Sequence, residues 1–175
     1  MTDTTETTMK EVPKAYRPAD FEAAIYERWL AADVFAPDGA GSTTDPIAEP
    51  FTIIQPPPNI TGSLHIGHAQ RTAVEDLMIR HARMLGRPTL FLPGLDHASI
   101  AAQYVLDKIL AEESESRQSL GRERYLERMW VFINTTREVM LRQQRRLGGS
   151  FDWGRLRFTM DDGSAKAVRV TFERL

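Results

Sequence analysis

The sequence predicts an α/β fold organised around a parallel sheet. Two short apolar runs, FTII at 51–54 and TLFL at 89–92, have the length and residue types of buried strands. Each is followed by a turn and then by a helical pattern, and strand–turn–helix repeated is the order that builds a parallel sheet. Each is also followed by an unusual loop, PPPNITGS after the first run and PGLDHAS after the second. Ligands bind such sheets outside the carboxyl ends of the strands, so the two loops are expected to meet there although they are distant in the chain.

The elements follow in order. Residues 1–13 are polar and Thr-rich, so disorder is expected there, and with no apolar core this start is not expected to act as a signal peptide. Residues 14–50 form an N-terminal helix and loop. Asp20 is the expected N-cap of a helix through FEAAIYERWLAADVF, with Phe21, Ile25 and Trp29 as its apolar stripe. Residues 36–50 are rich in Gly, Pro, Ser, Thr and Asp and read as a surface loop. Residues 51–175 carry the sheet. FTII has a β-branched residue at three of its four positions. Ser63 is the expected cap of a helix reaching about Leu85, ended by Gly86 and Pro88. TLFL is the second strand, and IAAQYVLDKILAE the helix after its loop. A long helical pattern spans 121–147 and closes at Gly148-Gly149, FDWGRLRFTM reads as an irregular connector or a strand, and DDGSAKAVRVTFERL begins another helix. Two confident strands are too few for a complete doubly wound fold, so a piece of a longer domain is expected.

Composition narrows the classes. Hydrophobic residues at 42% and charged residues at 26% are ordinary for a soluble globular protein, and a net charge of −2 argues against a protein that coats nucleic acid or membranes by bulk charge. The absence of cysteine removes disulfides and thiolate metal sites and fits the cytosol. No apolar run approaches a membrane span. Between Arg117 and Arg157, however, ten arginines face four acids (Glu123, Glu127, Glu138 and Asp152). Two readings stay open for that region: a solvated, salt-bridged helix face, and a surface that meets phosphate.

The stretch PPPNITGSLHIGHA carries the chemistry. Residues i and i+3 share a helix face, so His65 and His68 point the same way from a helix N-terminus, where free N–H groups and the macrodipole favour anions. Gly67 removes a side chain where a flat ring or a sugar can press on the backbone, and Gly62 allows a tight turn into the helix. The result is a phosphate-binding corner with room for a nucleoside. A second reading makes His65, His68, Asp96 and His97 zinc ligands. Two ligands on a first helical turn, behind a wall of prolines, suit a larger guest, so phosphate ranks above metal.

His65-Ile66-Gly67-His68 matches the signature of the class I aminoacyl-tRNA synthetases. The longer run around it resembles the valyl form of that family, as do LPGLDHASIAAQ, FDWGRLRFTMDDG and the YERW of the first helix. The resemblance covers residues from about 14 to 175. This sequence departs from it at Leu95 and Ala102, where Thr is usual, and at Ser99, where Gly is common; Leu95 removes any hydroxyl contact at its position.

The resemblance implies the first half of a Rossmann-like catalytic domain preceded by an N-terminal helix, and a two-step reaction. The carboxylate of valine attacks the α-phosphorus of ATP, and the acyl group then passes to the terminal adenosine of tRNA(Val). It implies that His65 and His68 are catalytic, that Thr61, Gly62 and Gly67 join them in binding ATP, and that Asp96 holds the ammonium group of valine. Pro56, Pro57 and Asn59 become a stiff wall of the amino-acid pocket, whose shape must select a side chain offering only two methyl groups. ATP arrives with Mg2+, and no protein-bound metal is implied in this segment. The complete enzyme is implied to be a cytoplasmic monomer with valine, ATP and tRNA(Val) as partners and no membrane. The editing insertion, the lysine-rich loop that completes phosphate binding and the anticodon-binding helices are not encoded in these residues, so the chain alone is expected to be inactive. Beside this reading stand a non-catalytic nucleotide- or RNA-binding piece acting through its Arg-rich region, a metal-dependent hydrolase, and another class I synthetase such as the isoleucyl enzyme.

Overall fold

The computed structural model of the protein describes residues 15–39 and 48–175. The disorder expected for 1–13 and the middle of the loop expected at 36–50 lie outside the described residues. A single 3-10 turn, Pro18–Asp20, leads into α1, Glu22–Ala31. Asp20 does not cap this helix: Pro18, with its fixed φ, starts the turn early and commits Asp20 to it, and Phe21 occupies the N-cap without a side-chain bond. The helix stops short of Phe35, and Asp33 adopts a φ of 50° beyond it. Its buried residue is Tyr26. Phe21 instead stays on the surface and stacks on Tyr16 with ring centroids 6.1 Å apart.

The expected strand–helix–strand unit is present. β1, Phe51–Ile54, pairs in parallel with β2, Thr89–Leu92, in the register Phe51↔Thr89 to Ile54↔Leu92. Parallel neighbours need a long crossover, and α2, Ile66–Met84, supplies it against both strands. Gly86 ends the helix in the left-handed conformation (φ 74°), just ahead of Pro88. A second parallel pair continues from β2: β3, Gly94–Leu95, pairs with β4, Arg157–Phe158. Between them run α3, Ser99–Glu112, and α4, Arg117–Arg146. The long helix expected from 121 is preceded by one further turn. Ser116 and Ser119 form a capping box there, and Gly121 breaks the helix with φ 73° and ψ 172°. FDWGRLRFTM proves to be both connector and strand: a 3-10 turn at Trp153–Arg155, then β4. α5, Asp162–Arg174, is capped by Asp161.

Two apolar clusters position the site. Under the β1–β2 pair, Ile79 of α2 packs on Phe91 and Phe151, whose rings lie 4.1 Å apart. A Cβ at Gly149 would stand 2.5 Å from the Phe151 ring, so the ring occupies space that only glycine leaves open. Under the loops, Ile60, Leu95, Ala102, Ile133, Met140 and Phe158 form one cluster. Two departures from the valyl pattern, Leu95 and Ala102, therefore sit in a single cluster, one residue bulkier than the usual threonine and one smaller.

A buried polar knot fastens these layers. The Asp76 carboxylate of α2 accepts from Ser150 N at 2.9 Å and from the Ser150 hydroxyl, and pairs with Arg80 Nε at 2.5 Å. Arg80 also donates to Gly148 O at 2.6 Å and Arg83 to Ser150 Oγ at 3.1 Å. Beside the knot, Tyr26 Oη donates to Gly149 O at 2.7 Å and accepts from Trp153 Nε1 at 2.7 Å, which ties α1 to the same turn. Replacing Asp76 leaves several donors without their acceptor. Asp76→Ala is expected to destabilise the protein by about 3 kcal/mol, read from urea unfolding, whereas Glu22→Ala on the exposed face of α1 should change it by less than about 0.5 kcal/mol.

Candidate functional site

His65 and His68 cap the helix they begin. Ser63, the expected cap, lies outside α2, and His65 is the N-cap residue. Its Nδ1 accepts from Gly67 N at 3.1 Å, while Nδ1 of His68 accepts from His65 N at 3.3 Å. This is a capping box written in imidazole, with the usual reciprocity of an N-cap side chain and an N3 side chain. Because both Nδ1 atoms spend their lone pairs on backbone N–H groups, each neutral ring carries its proton on Nε2. The two rings, with centroids 4.0 Å apart, thus offer two N–H donors at the positive end of α2. Burial, then His65 and Arg71, lower the His68 pKa, which favours this neutral form.

The glycines of the turn differ in their reasons. A Cβ on Gly67 would lie 3.0 Å from Cε1 of His65, so Gly67 leaves room for the capping ring itself. The chain bends through residues 60–62 as it approaches α2, but Gly62 has no positive φ and nothing within 4 Å of a built Cβ, so neither its backbone conformation nor crowding requires glycine there. Upstream, Gln143 of α4 grips Leu64 on both sides, accepting from its N–H at 2.9 Å and donating to its carbonyl at 3.4 Å. Long-range contacts of this kind leave no sequence pattern, and Gln143 was not identifiable beforehand.

The two loops after the strands lie side by side. Asn59 and Asp96 form a parallel bridge, with Ile60 N bonded to Asp96 O at 2.8 Å and Asp96 N to Pro58 O at 3.0 Å. Ile60 is buried beneath, while Pro56, Pro57 and Asn59 are exposed and Thr61 is half-buried. Gly94 admits the wall: a Cβ there would meet Pro57 Cβ at 3.3 Å. Oδ1 of Asp96 accepts from Ala98 N at 3.0 Å and from the Thr159 hydroxyl at 3.2 Å. Oδ2 makes no hydrogen bond among the described residues. Thr159, absent from the sequence expectations, reaches this loop from beyond β4. Among the described residues no three His, Asp or Glu side chains converge as a metal site requires, and His65, His68, Asp96 and His97 do not form such a cluster.

Next to the loops is a cavity of about 530 Å³ lined by His97, Arg122, Met129, Trp130 and Phe158, among others. A larger one of about 960 Å³ lies between α1, α2 and the end of α4. Neither is lined by His65 or His68, whose turn is exposed. The arginines of 117–157 divide. Arg117 pairs with Asp107, Arg124 with Glu115, Arg128 with Glu113, and Arg155 with Asp38 and Asp152. Arg137 and Arg145 lie over Phe158 and Trp153. Arg122, Arg142 and Arg146 meet no carboxylate at ion-pair distance among the described residues.

Comparison with known proteins agrees on the family. Residues 24–175 match the family model of tRNA synthetases class I (I, L, M and V). The chain is 48% identical over 167 residues to the valine–tRNA ligase of Dehalococcoides mccartyi, covering 95% of this chain and 18% of that protein. It is 45% identical over 166 residues to the valine–tRNA ligase of Streptococcus thermophilus, with the same coverage. The chain therefore spans less than a fifth of the length of these relatives. Among solved structures it resembles Agrobacterium radiobacter LeuRS in a ternary complex with tRNA and LeuAMS, with a TM-score of 0.70 at 20% identity over 92% of this chain and 18% of that one. This likeness shows the fold.

Two expectations follow from the local geometry. In an NMR pH titration His68 should titrate below the ordinary histidine range. A group with a lowered folded pKa contributes stability above its unfolded pKa and loses it as pH falls through the folded value, so acid should fray the start of α2. A midpoint at or above about 6.5 contradicts the arrangement. Ser99 sits at φ 37°, in the region that favours glycine. Ser99→Gly, which restores the residue common in the valyl pattern, should raise stability by about 1 kcal/mol in urea unfolding.

Proposed function

The chain belongs to the class I tRNA synthetases, and on that premise we propose that it supplies the histidine half of a valine–tRNA ligase active site. The observation that carries the reading is the pair of Nε2–H donors held at the N-terminus of α2 by the imidazole capping box. The 44–48% identity to valine–tRNA ligases supports valine as the amino acid.

In this reading MgATP is the substrate that meets the histidine turn. A carboxylate oxygen of valine bonds to the α-phosphorus, the bond from that phosphorus to the bridging oxygen of the β-phosphate breaks, and pyrophosphate leaves. His65 and His68 donate from Nε2 to phosphate oxygens as negative charge builds there, and their orientation is prepaid by the cap. Thr61 and Gly62 flank the nucleotide on the approach to α2, and Gly67 serves it by leaving room for the His65 ring. The free Oδ2 of Asp96 receives the ammonium group, and Pro56, Pro57 and Asn59 flank the side chain. A ribose hydroxyl of the terminal adenosine of tRNA(Val) then takes the acyl group and AMP departs. The same reading assigns the protein to the cytoplasm and makes the complete enzyme a monomer.

The test grafts these residues in place of the matching segment of the Dehalococcoides mccartyi enzyme. The graft should support valine-dependent pyrophosphate exchange. His68→Ala in it should slow exchange about 100-fold, the usual loss for one preformed donor. An unchanged rate, or rescue by zinc, rejects the phosphate role. The 175-residue chain alone should give no exchange and bind ATP no better than the millimolar range, about −4 kcal/mol, in calorimetry.

A further inference from the structure

We propose that Thr159 is a positioning residue: its hydroxyl aims the Asp96 carboxylate and fixes His97 as the Nδ1–H tautomer, so that His97 presents an Nε2 lone pair. Three contacts converge on this one oxygen. Thr159 Oγ1 lies 2.9 Å from His97 N, 2.5 Å from His97 Nδ1 and 3.2 Å from Asp96 Oδ1. A hydroxyl has one proton to give and two lone pairs to receive with. The backbone N–H of His97 can only donate, and the carboxylate can only accept. If the hydroxyl gave its proton to Nδ1 instead, Oδ1 would face a bare oxygen lone pair at 3.2 Å and a bare nitrogen lone pair at 3.5 Å. With the proton on Nδ1, every one of these contacts is attractive and the hydroxyl is saturated.

The placement of Thr159 is set by main chain rather than by its own side chain. Thr159 N bonds to Leu95 O at 3.2 Å and Arg157 N to Pro93 O at 3.1 Å, so the β3–β4 pairing delivers the hydroxyl to the loop. The consequence for the site is a division among its histidines. His65 and His68 hold Nε2–H donors, which suit an anion. His97, which lines the cavity of about 530 Å³, holds an acceptor, which suits a cationic or N–H-bearing group. Only the last step, that Oδ2 of Asp96 is thereby turned toward the ammonium group of valine, rests on the function proposed above.

Long-range 1H–15N NMR on the 175-residue chain reads the tautomer directly. Thr159 is exposed, so Thr159→Val and Thr159→Ser should melt like the parent. The parent and Thr159→Ser should carry the His97 proton on Nδ1, and Thr159→Val, which leaves only the 3.5 Å contact with Asp96 Oδ1, should shift the population toward Nε2. An Nε2–H His97 in the parent, or a tautomer ratio unchanged in Thr159→Val, overturns the proposal. Valine itself is then titrated by calorimetry into the graft described above and into its Thr159→Val, Thr159→Ser and Asp96→Asn variants. Thr159→Val should weaken valine binding about tenfold and Thr159→Ser should restore it. If the tautomer responds as expected but Asp96→Asn binds valine as tightly as the graft itself, the positioning role stands and the amino-acid role of Asp96 falls.

Discussion

The carboxylate of Asp76 is the contact on which most of the arrangement depends. It sits in the middle of α2 and receives both the backbone N–H and the hydroxyl of Ser150, while Arg80 balances its charge. That fixes the turn after α4 against the helix whose other end carries the histidines. The same turn sends Phe151 under β2 and lends its Gly149 carbonyl to Tyr26, so α1 is held through it as well. A hydrophobic contact could hold these pieces together but would let them slide. A buried carboxylate with assigned donors admits one registration and makes every other costly.

A second tie acts at the front of α2. Gln143 holds both backbone groups of Leu64, the residue before the first histidine. α4 therefore grips α2 near its start and, through Ser150, in its middle. The imidazole cap is local, but its direction in space is inherited from these two grips, so an exposed turn still keeps one orientation.

Local patterns made the framework legible. β-branched and apolar runs gave both strands of the first pair, Gly86 and Pro88 gave the end of α2, and the spacing of His65 and His68 gave a shared face. What stayed hidden was chosen by competition or by distance. Asp20 and Ser63 are good caps by type, yet Pro18 drew the first into a turn and His65 took the place expected of the second. Asp76, Gln143 and Thr159 act on partners more than sixty residues away, and no periodicity records such pairs. The Arg-rich region supports part of each reading left open for it. Six of its ten arginines are absorbed by acids or rings, while Arg142 and Arg146, four residues apart on one face of α4, meet no carboxylate among the described residues.

The pairing of loops beyond the strands bears on which changes of length the chain can survive. Asn59 bridges Asp96, and two residues earlier Gly94 pairs with Arg157, so three separate segments are counted against one another residue by residue. In a parallel ladder a slip of one position turns each side chain to the opposite face. One codon added between Gln55 and Asn59, or removed between Pro93 and Asp96, would leave composition almost untouched and still carry the carboxylate away from the proline wall. Substitutions there are graded in their effects, but insertions and deletions are all-or-none. The turn between α3 and α4 has no such ladder: among the described residues only ion pairs from Glu113 and Glu115 and the Ser116 cap tie it to α4, so an added residue there shifts a few exposed contacts and leaves the register of the paired segments intact.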